Sequence, residues 1–377
     1  MSGIYIHIPF CKQACHYCDF HFSTSMKKKN EMVFALANEI EMRKSELENE
    51  ITETIYFGGG TPSRLQISDL RFLIDSIYSN YNIVENPEIT LEANPDDLSE
   101  EYIIELSKIG VNRLSIGIQS FFEDDLKMMN RAHNAEESKK CLKTATQYFD
   151  NISVDLIYGI PGLSNEKWLE NIETALSFGI AHISSYALTV EPKTALKKLI
   201  EKGDVAAPKD EIAAEHFAIL VKKLEENGFI HYELSNFGKK NYFSKNNSAY
   251  WLGKKYLGIG PSAHSYDGEK RSWNVSNNAV YLKSIAEEKR PSESEILTKT
   301  DKYNEYIMTG LRTIWGISLG RIETEFGNLY LDYLHQQSAK FIEDDLLFIN
   351  EGILQTTKKG KFLSDGIAAD LFMLNME

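Results

Sequence analysis

Short apolar runs alternate with longer amphipathic stretches from residue 2 to about residue 235, which predicts an α/β chain of parallel strands with helical crossovers. Two further observations complete the fold class. Polar and glycine-rich residues cluster where the strands end, the place where a barrel gathers its functional groups. After Tyr281 the pattern turns mainly helical and closes in a short β-wing, predicting a helical, winged-helix-like carboxy-terminal domain. About six β–α units suit a partial (β/α)6 barrel better than a flat doubly wound sheet, although spacing alone does not separate the two. The predicted division is a barrel over 1–236, an aromatic and glycine-rich connecting segment over 237–280 and the helical domain over 281–377.

Taken in order, Gly3–Pro9 reads as a strand, and Asn30–Ser45 carries apolar residues at helical spacing. Glu53–Phe57 is a strand running into Gly58-Gly59-Gly60-Thr61-Pro62, and Ile67–Ile77 is a helix. Pro87–Ala93 is a strand and Ser99–Ile109 a helix; Val111–Ile118 is a strand, with helices over Glu123–Asn130 and Ala135–Phe149. The strand Ile152–Tyr158, the helix Asn165–Phe178, the strand His182–Leu188 and the long helix Lys209–Asn227 finish the barrel. The segment Phe237–Tyr266 is rich in Asn, Gly, Tyr and Ser, with Leu257-Gly258-Ile259-Gly260-Pro261 as a breaker run. Its Tyr242, Phe243, Tyr250, Trp251 and Tyr256 call for burial, so the segment is read as ordered rather than flexible. Over Gly316–Phe372 two helices precede a wing at Gly352–Lys361, and no internal repeat or low-complexity tract stands out.

The bulk properties narrow the function. A chain of 377 residues is long enough for a large core and suits two domains better than one. With 41 basic against 55 acidic residues the net charge is −14, which argues against a role driven by phosphate binding. Residues 317–377 hold five basic and ten acidic residues, the wrong sign for a DNA-binding wing. The start lacks a signal peptide's basic and long apolar regions, and no run of 18 apolar residues predicts a transmembrane segment. Cys141, on a predicted helix, is left alone by the other three cysteines, so a disulfide framework is not available and a reducing cytoplasm is expected.

Those three, Cys11, Cys15 and Cys18, stand as C-x3-C-x2-C in one loop after the first strand. Three thiols so placed can hold an iron–sulfur cube while leaving one iron open to an outside ligand. A structural zinc would need a fourth ligand at compact spacing, for which His16 or His21 could be offered. Other polar residues stand at the strand ends, the Gly58–Thr61 turn, Glu92 in Thr-Leu-Glu-Ala-Asn-Pro and Gln119 in Ser-Ile-Gly-Ile-Gln-Ser-Phe, and Asp155 in Ser-Val-Asp-Leu-Ile-Tyr lies in the fifth strand. Each taken alone reads first as a structural hydrogen bonder or a plain tight turn.

Together with Tyr-Ile-His-Ile-Pro-Phe-Cys, these motifs resemble the radical S-adenosylmethionine enzymes over nearly the whole chain, and within them the oxygen-independent coproporphyrinogen III oxidase group. The resemblance implies the partial barrel. It implies that Cys11, Cys15 and Cys18 hold a [4Fe–4S] cluster whose open iron is chelated by the amino and carboxylate groups of S-adenosylmethionine. One electron passed to the sulfonium would then release a 5′-deoxyadenosyl radical. It implies that Gly59, Gly60 and Thr61 meet the amino group and that Glu92 and Asp155 address ribose or adenine. Gln119 and Arg131 would flank the carboxylate and ribose, Tyr5 and the backbone of Tyr17 the cluster and adenine, and Ala187 the adenine pocket. Such residue types suit the ligand: a cationic sulfonium with a carboxylate and a diol needs acceptors, one guanidinium and bare backbone.

Two departures choose among branches. Porphyrinogen-decarboxylating oxidases carry a fourth cysteine where this chain has Phe20, so C-x3-C-x2-C-x-F resembles the heme chaperone, or HemW, branch, as does Tyr232-Glu233-Leu234-Ser235-Asn236-Phe237. That branch usually shows His-Asn-x-x-Tyr-Trp, whereas this chain reads Asn246-Asn247-Ser248-Ala249-Tyr250-Trp251, and an amide is a poor iron ligand. His264 and His231 are then the nearest candidates, each also readable as a satisfied structural histidine. Three readings stay open: a heme-binding protein that delivers heme to acceptors, some of them membrane-bound, and draws on an electron donor; a coproporphyrinogen III oxidase turning two propionates into vinyls; and a radical enzyme on another substrate.

Overall fold

The computed structural model describes residues 2–374. Six parallel strands, β1 (Ser2–Ile8), β2 (Thr52–Gly59), β3 (Ile83–Ala93), β4 (Arg113–Gln119), β5 (Ile152–Tyr158) and β6 (His182–Ala187), lie side by side in chain order. Helices α1 (Lys29–Met42), α2 (Ile67–Asn80), α3 (Glu100–Lys108), α4 (Glu123–Met128), α5 (Ala135–Ala145) and α6 (Asn165–Ser177) make the crossovers. Unbroken sequential order with a helix after each strand is the arrangement of an opened barrel. Strand alternation sorts the residues: Ile4, Ile6 and Ile8 of β1 are fully buried in the main core, whereas Tyr5 and His7 turn the other way and line a cavity. Helix starts are fixed locally, with Ser99, Asn134 and Ser164 each accepting a backbone N–H three residues on.

Beyond β6 the chain departs from simple repetition. A helix absent from the sequence reading, α7 (Ala195–Lys202), is capped by Thr194 and stopped by left-handed Gly203, and α8 (Asp210–Glu226) follows. A hairpin of β7 (Ile230–Glu233) and β8 (Asn236–Gly238) then adds antiparallel to β6. Residues 237–280 do more than connect. After α9 (Lys245–Trp251), β9 (Lys255–Ile259) pairs parallel with the other edge of β1, placing Ser2 against Lys255. From there β10 (His264–Tyr266), β11 (Lys270–Asn274) and, beyond α10 (Asn278–Ala286), β12 (Ser292–Ile296) extend the sheet antiparallel. The sheet therefore has twelve strands, with β12 and β7 outermost among the described residues.

A second core, from Tyr303 to Leu371, forms the carboxy-terminal domain. It contains α11 (Lys299–Leu311), β13 (Ile317–Ser318), the short α12 (Leu319–Arg321), α13 (Asn328–Glu343), β14 (Leu347–Asn350), β15 (Ile353–Thr356) and α14 (Ser364–Asp370). The wing is real but begins earlier than expected: its hairpin is β14–β15, with Glu351 and Gly352 in left-handed conformation at the turn. This domain docks on the barrel through Ile314, whose N–H donates to the Tyr232 carbonyl, and through Lys361, which donates to the carbonyl of His231. Among the described residues no helix is long and apolar enough to cross a membrane.

Candidate functional site

The cysteine loop is pinned from three sides before any side chain is considered. The Cys11 N–H donates to Ser23, and the N–H groups of Gly60 and Thr61 donate to Ile8 and Phe10. The end of α4 holds the far side: the His16 N–H reaches the Met129 carbonyl at 3.0 Å, the Gln13 amide donates to the Asn130 carbonyl at 2.7 Å, and the Asn130 amide donates to the Ala14 carbonyl at 2.7 Å. The start of α7 closes the third side, the Leu196 N–H donating to the His16 carbonyl at 2.7 Å. The two histidines that could complete a zinc set are otherwise engaged, His16 Nδ1 with the Met128 carbonyl and His21 Nε2 with Asn278 Oδ1.

A cavity of about 510 Å³ opens at the carboxyl ends of the strands. Cys11, Cys15 and Cys18 rim it, and Tyr17, Gly59, Gly60, Thr61, Glu92, Gln119, Arg131, Asp155 and Ala187 line it, so the structure gathers twelve of the thirteen sequence-derived site residues in one place. Tyr5 is the exception and lines the neighbouring cavity. Asn94, Ser115, Gly117 and Tyr186 also line the first cavity and were not singled out from sequence, although Asn94, Gly117 and Tyr186 stand at or near strand ends and Ser115 pairs with Glu92 across β3 and β4. The three thiols are free and half-buried, and burial pushes Cys11 upward and Cys18 up to about 11. Among the described residues no three His, Cys, Asp or Glu side chains are drawn together tightly enough for a single metal ion. Thiols spread around a rim instead suit a cube, which takes one thiolate per corner.

Arg131 is the hub of the polar floor. Its guanidinium donates to Asn94 Oδ1 at 2.7 Å and to the Gly117 carbonyl at 2.8 Å, and it reaches Cys15 Sγ at 3.2 Å and Tyr17 Oη at 3.4 Å. Gly117 is needed for this, because a Cβ there would sit 2.8 Å from Gln119 Nε2 and 3.1 Å from Arg131. Gln119 itself is buried and left-handed at φ 68°, where the β4–β5 register slips, a strained setting that aims its amide at the cavity end of the strand. Glu92 accepts from Tyr56 Oη at 2.8 Å and from the Gly59 N–H at 3.2 Å, while Asp155 accepts from Ser115 at 3.2 Å.

Burial raises Glu92 to about 7 and Asp155 to about 6. The folded chain therefore holds more protons than the unfolded chain between about pH 4 and 7, and stability from these groups falls as pH rises through that window. E92Q should flatten the decline by up to about 3 kcal/mol, read from denaturation midpoints at pH 5 and pH 8; an unchanged pH slope contradicts it. The glycine turn gives a second expectation. A Cβ on Gly60 would sit 2.8 Å from the Ile8 carbonyl, the Phe10 nitrogen and the Phe10 carbonyl, all backbone. G60A should cost roughly 1–3 kcal/mol by urea denaturation, because the clash falls on the strand end that carries the cysteine loop.

A second cavity of about 770 Å³ adjoins the first and shares Asp19, Phe20, Phe22, Gly59 and Glu92 with it. Its remaining wall is Tyr5, His7, His21, Tyr250, Tyr256, Ser262, His264 and Ser276. Phe20, at the place of the fourth cysteine, is 69% exposed and belongs to both cavities. Asn246 lines neither: it is buried, accepting from Thr54 Oγ1 near the start of β2 at 3.0 Å. His231 also lies elsewhere, in a cavity of about 480 Å³ at the domain junction, while His264 faces the second cavity.

Comparison with known proteins agrees with this geometry. The Radical SAM superfamily model matches residues 5–180 and the HemN C-terminal domain model matches residues 297–363. The chain overlays on the radical SAM coproporphyrinogen III oxidase HemN of Escherichia coli with a TM-score of 0.87, covering 99% of this chain and 90% of that one, at 22% identity, a likeness of fold. Fold and site together define a radical S-adenosylmethionine protein. Sequence places it more narrowly. It is 37% identical to the heme chaperone HemW of Bacillus subtilis over 97% of this chain and 98% of that protein, and 33% identical to the Lactococcus lactis heme chaperone HemW over 97% and 96%. The chain belongs to the HemW family.

Proposed function

We propose that the chain is a heme chaperone which binds a [4Fe–4S] cluster, S-adenosylmethionine and heme and passes the heme to acceptor proteins in the cytoplasm or at its membrane. The observation that carries this reading is the second cavity, continuous with the thiol-rimmed one and walled by Phe20, Phe22, Tyr250 and Tyr256. A flat apolar macrocycle calls for such aromatic walls, and the volume lies within the roughly 300–1,000 Å³ of small-molecule sites. No lysine or arginine lines it among the described residues. An oxidase acting on two propionates would have to fix both carboxylates beside the reacting centre, whereas cargo can leave them toward Ser262, Ser276 and solvent. The names of the Bacillus and Lactococcus relatives point the same way.

In the first cavity Cys11, Cys15 and Cys18 would hold the cluster, which when bound supplies one electron to S-adenosylmethionine. The chain's own part is to seat and shield that ligand. Arg131 would meet the carboxylate, Gln119 the carboxylate and ribose, Glu92 and Asp155 the ribose or adenine, and Gly59, Gly60 and Thr61 the amino group. Tyr5 and the Tyr17 backbone would flank the cluster and adenine, and Ala187 the adenine face. A cationic ligand beside Glu92 and Asp155 should pull both carboxyls down, so binding at pH 6 should release protons. Titrating anaerobically reconstituted protein with heme should show saturation near one heme per chain, followed by transfer to an apo-cytochrome. No saturable binding would overturn the assignment.

A further inference from the structure

Resting on the reading that this chain carries heme, we propose that His264 ligates the heme iron from the wall of the second cavity. Asn246 is excluded by position as well as by chemistry, since it is buried against Thr54 and lines neither cavity. His231 is excluded by position too: it is buried at the domain junction, stacked on Phe237 at 4.1 Å, with Nε2 against the Leu234 carbonyl.

Three histidines remain in the second cavity, and their hydrogen bonds separate them. His7 has both nitrogens engaged, Nε2 with the His21 carbonyl at 2.9 Å and Nδ1 with Tyr5 Oη at 3.4 Å. His21 commits Nε2 to Asn278 at 2.7 Å, leaving only Nδ1, the nitrogen crowded by its own backbone and hard for a flat macrocycle to approach. The His264 imidazole has no hydrogen-bond partner among the described residues, so Nε2, at the far end of the ring, is free. The ring is oriented all the same. It stacks on Trp273 with centroids 6.0 Å apart and planes 29° apart, and its backbone is locked opposite Trp273 in the β10–β11 ladder. A partnerless imidazole facing an aromatic cavity is the ligand type a heme iron takes.

The test is Soret absorption, resonance Raman excited in the Soret band, and electron paramagnetic resonance on heme-loaded full-length protein. Wild type should show imidazole-ligated heme. H264A should still take up heme but lose the imidazole signature, which added free imidazole should restore, and H264M should move the spectrum toward a methionine-ligated form. H21A and H231A should leave the spectrum as in wild type. An unchanged spectrum in both H264A and H264M, or loss of the signature in H21A or H231A alone, overturns the assignment. Absence of heme binding in wild type removes the chaperone reading as well, so the two failures are distinguishable.

Discussion

Replacing Cys11, Cys15 and Cys18 together by alanine is expected to remove all cluster iron and sulfide, which in reconstituted wild type should stand at about four of each per chain. The size of the effect follows from the geometry. One loop, pinned by Ser23, by the end of α4 and by the start of α7, carries all three thiols to the rim of one cavity. Among the described residues no other set of His, Cys, Asp and Glu could hold even a single metal ion, so nothing else would retain the iron. The broad visible absorption should vanish with it. Stoichiometric zinc without sulfide in anaerobically purified wild type would contradict the reading.

The second large effect concerns the cosubstrate. E92A should weaken S-adenosylmethionine binding roughly 10- to 100-fold, the worth of one or two buried charge-assisted hydrogen bonds, with iron content unchanged. It is the clean variant because Glu92 contacts Tyr56 and the Gly59 backbone and no thiol. R131A is not clean, because the guanidinium lies 3.2 Å from Cys15 Sγ. It should lose the cosubstrate response and also make the cluster more labile in air. The readout is the change that S-adenosylmethionine causes in the paramagnetic resonance of the reduced cluster. A wild-type response in E92A would remove Glu92 from the binding set.

The barrel was readable because its strands and helices are local patterns: β1 to β6 and their crossovers stand within a few residues of where periodicity puts them. The thiols and most of the polar candidates were readable for the same reason, standing at or just past the carboxyl end of a strand, with Asp155 inside β5. What periodicity misses is pairing at a distance. Nothing in Lys255–Ile259 announces that it will lie parallel to β1, some 250 residues earlier in the chain. That pairing folds Tyr250, Tyr256 and His264 over Tyr5, His7 and Phe20 and so makes the second cavity. Asn246 illustrates the opposite error. Its place in a motif drew attention to it as a lost ligand, while the fold buries it against Thr54 of β2, where it lines neither cavity. Helix α7 was missed although Thr194 and Gly203 mark its ends, because the stretch between them is short and strongly charged.

The central claim is that the second cavity holds heme as cargo and not a porphyrinogen as substrate. Incubating the reconstituted protein with coproporphyrinogen III, a strong reductant and S-adenosylmethionine under anaerobic conditions tests it directly, with porphyrins separated after oxidation. The account predicts unchanged coproporphyrinogen and, from a parallel sample, one tightly bound heme per chain. Catalytic conversion of coproporphyrinogen to protoporphyrinogen, two propionates becoming two vinyls over many turnovers, would contradict it.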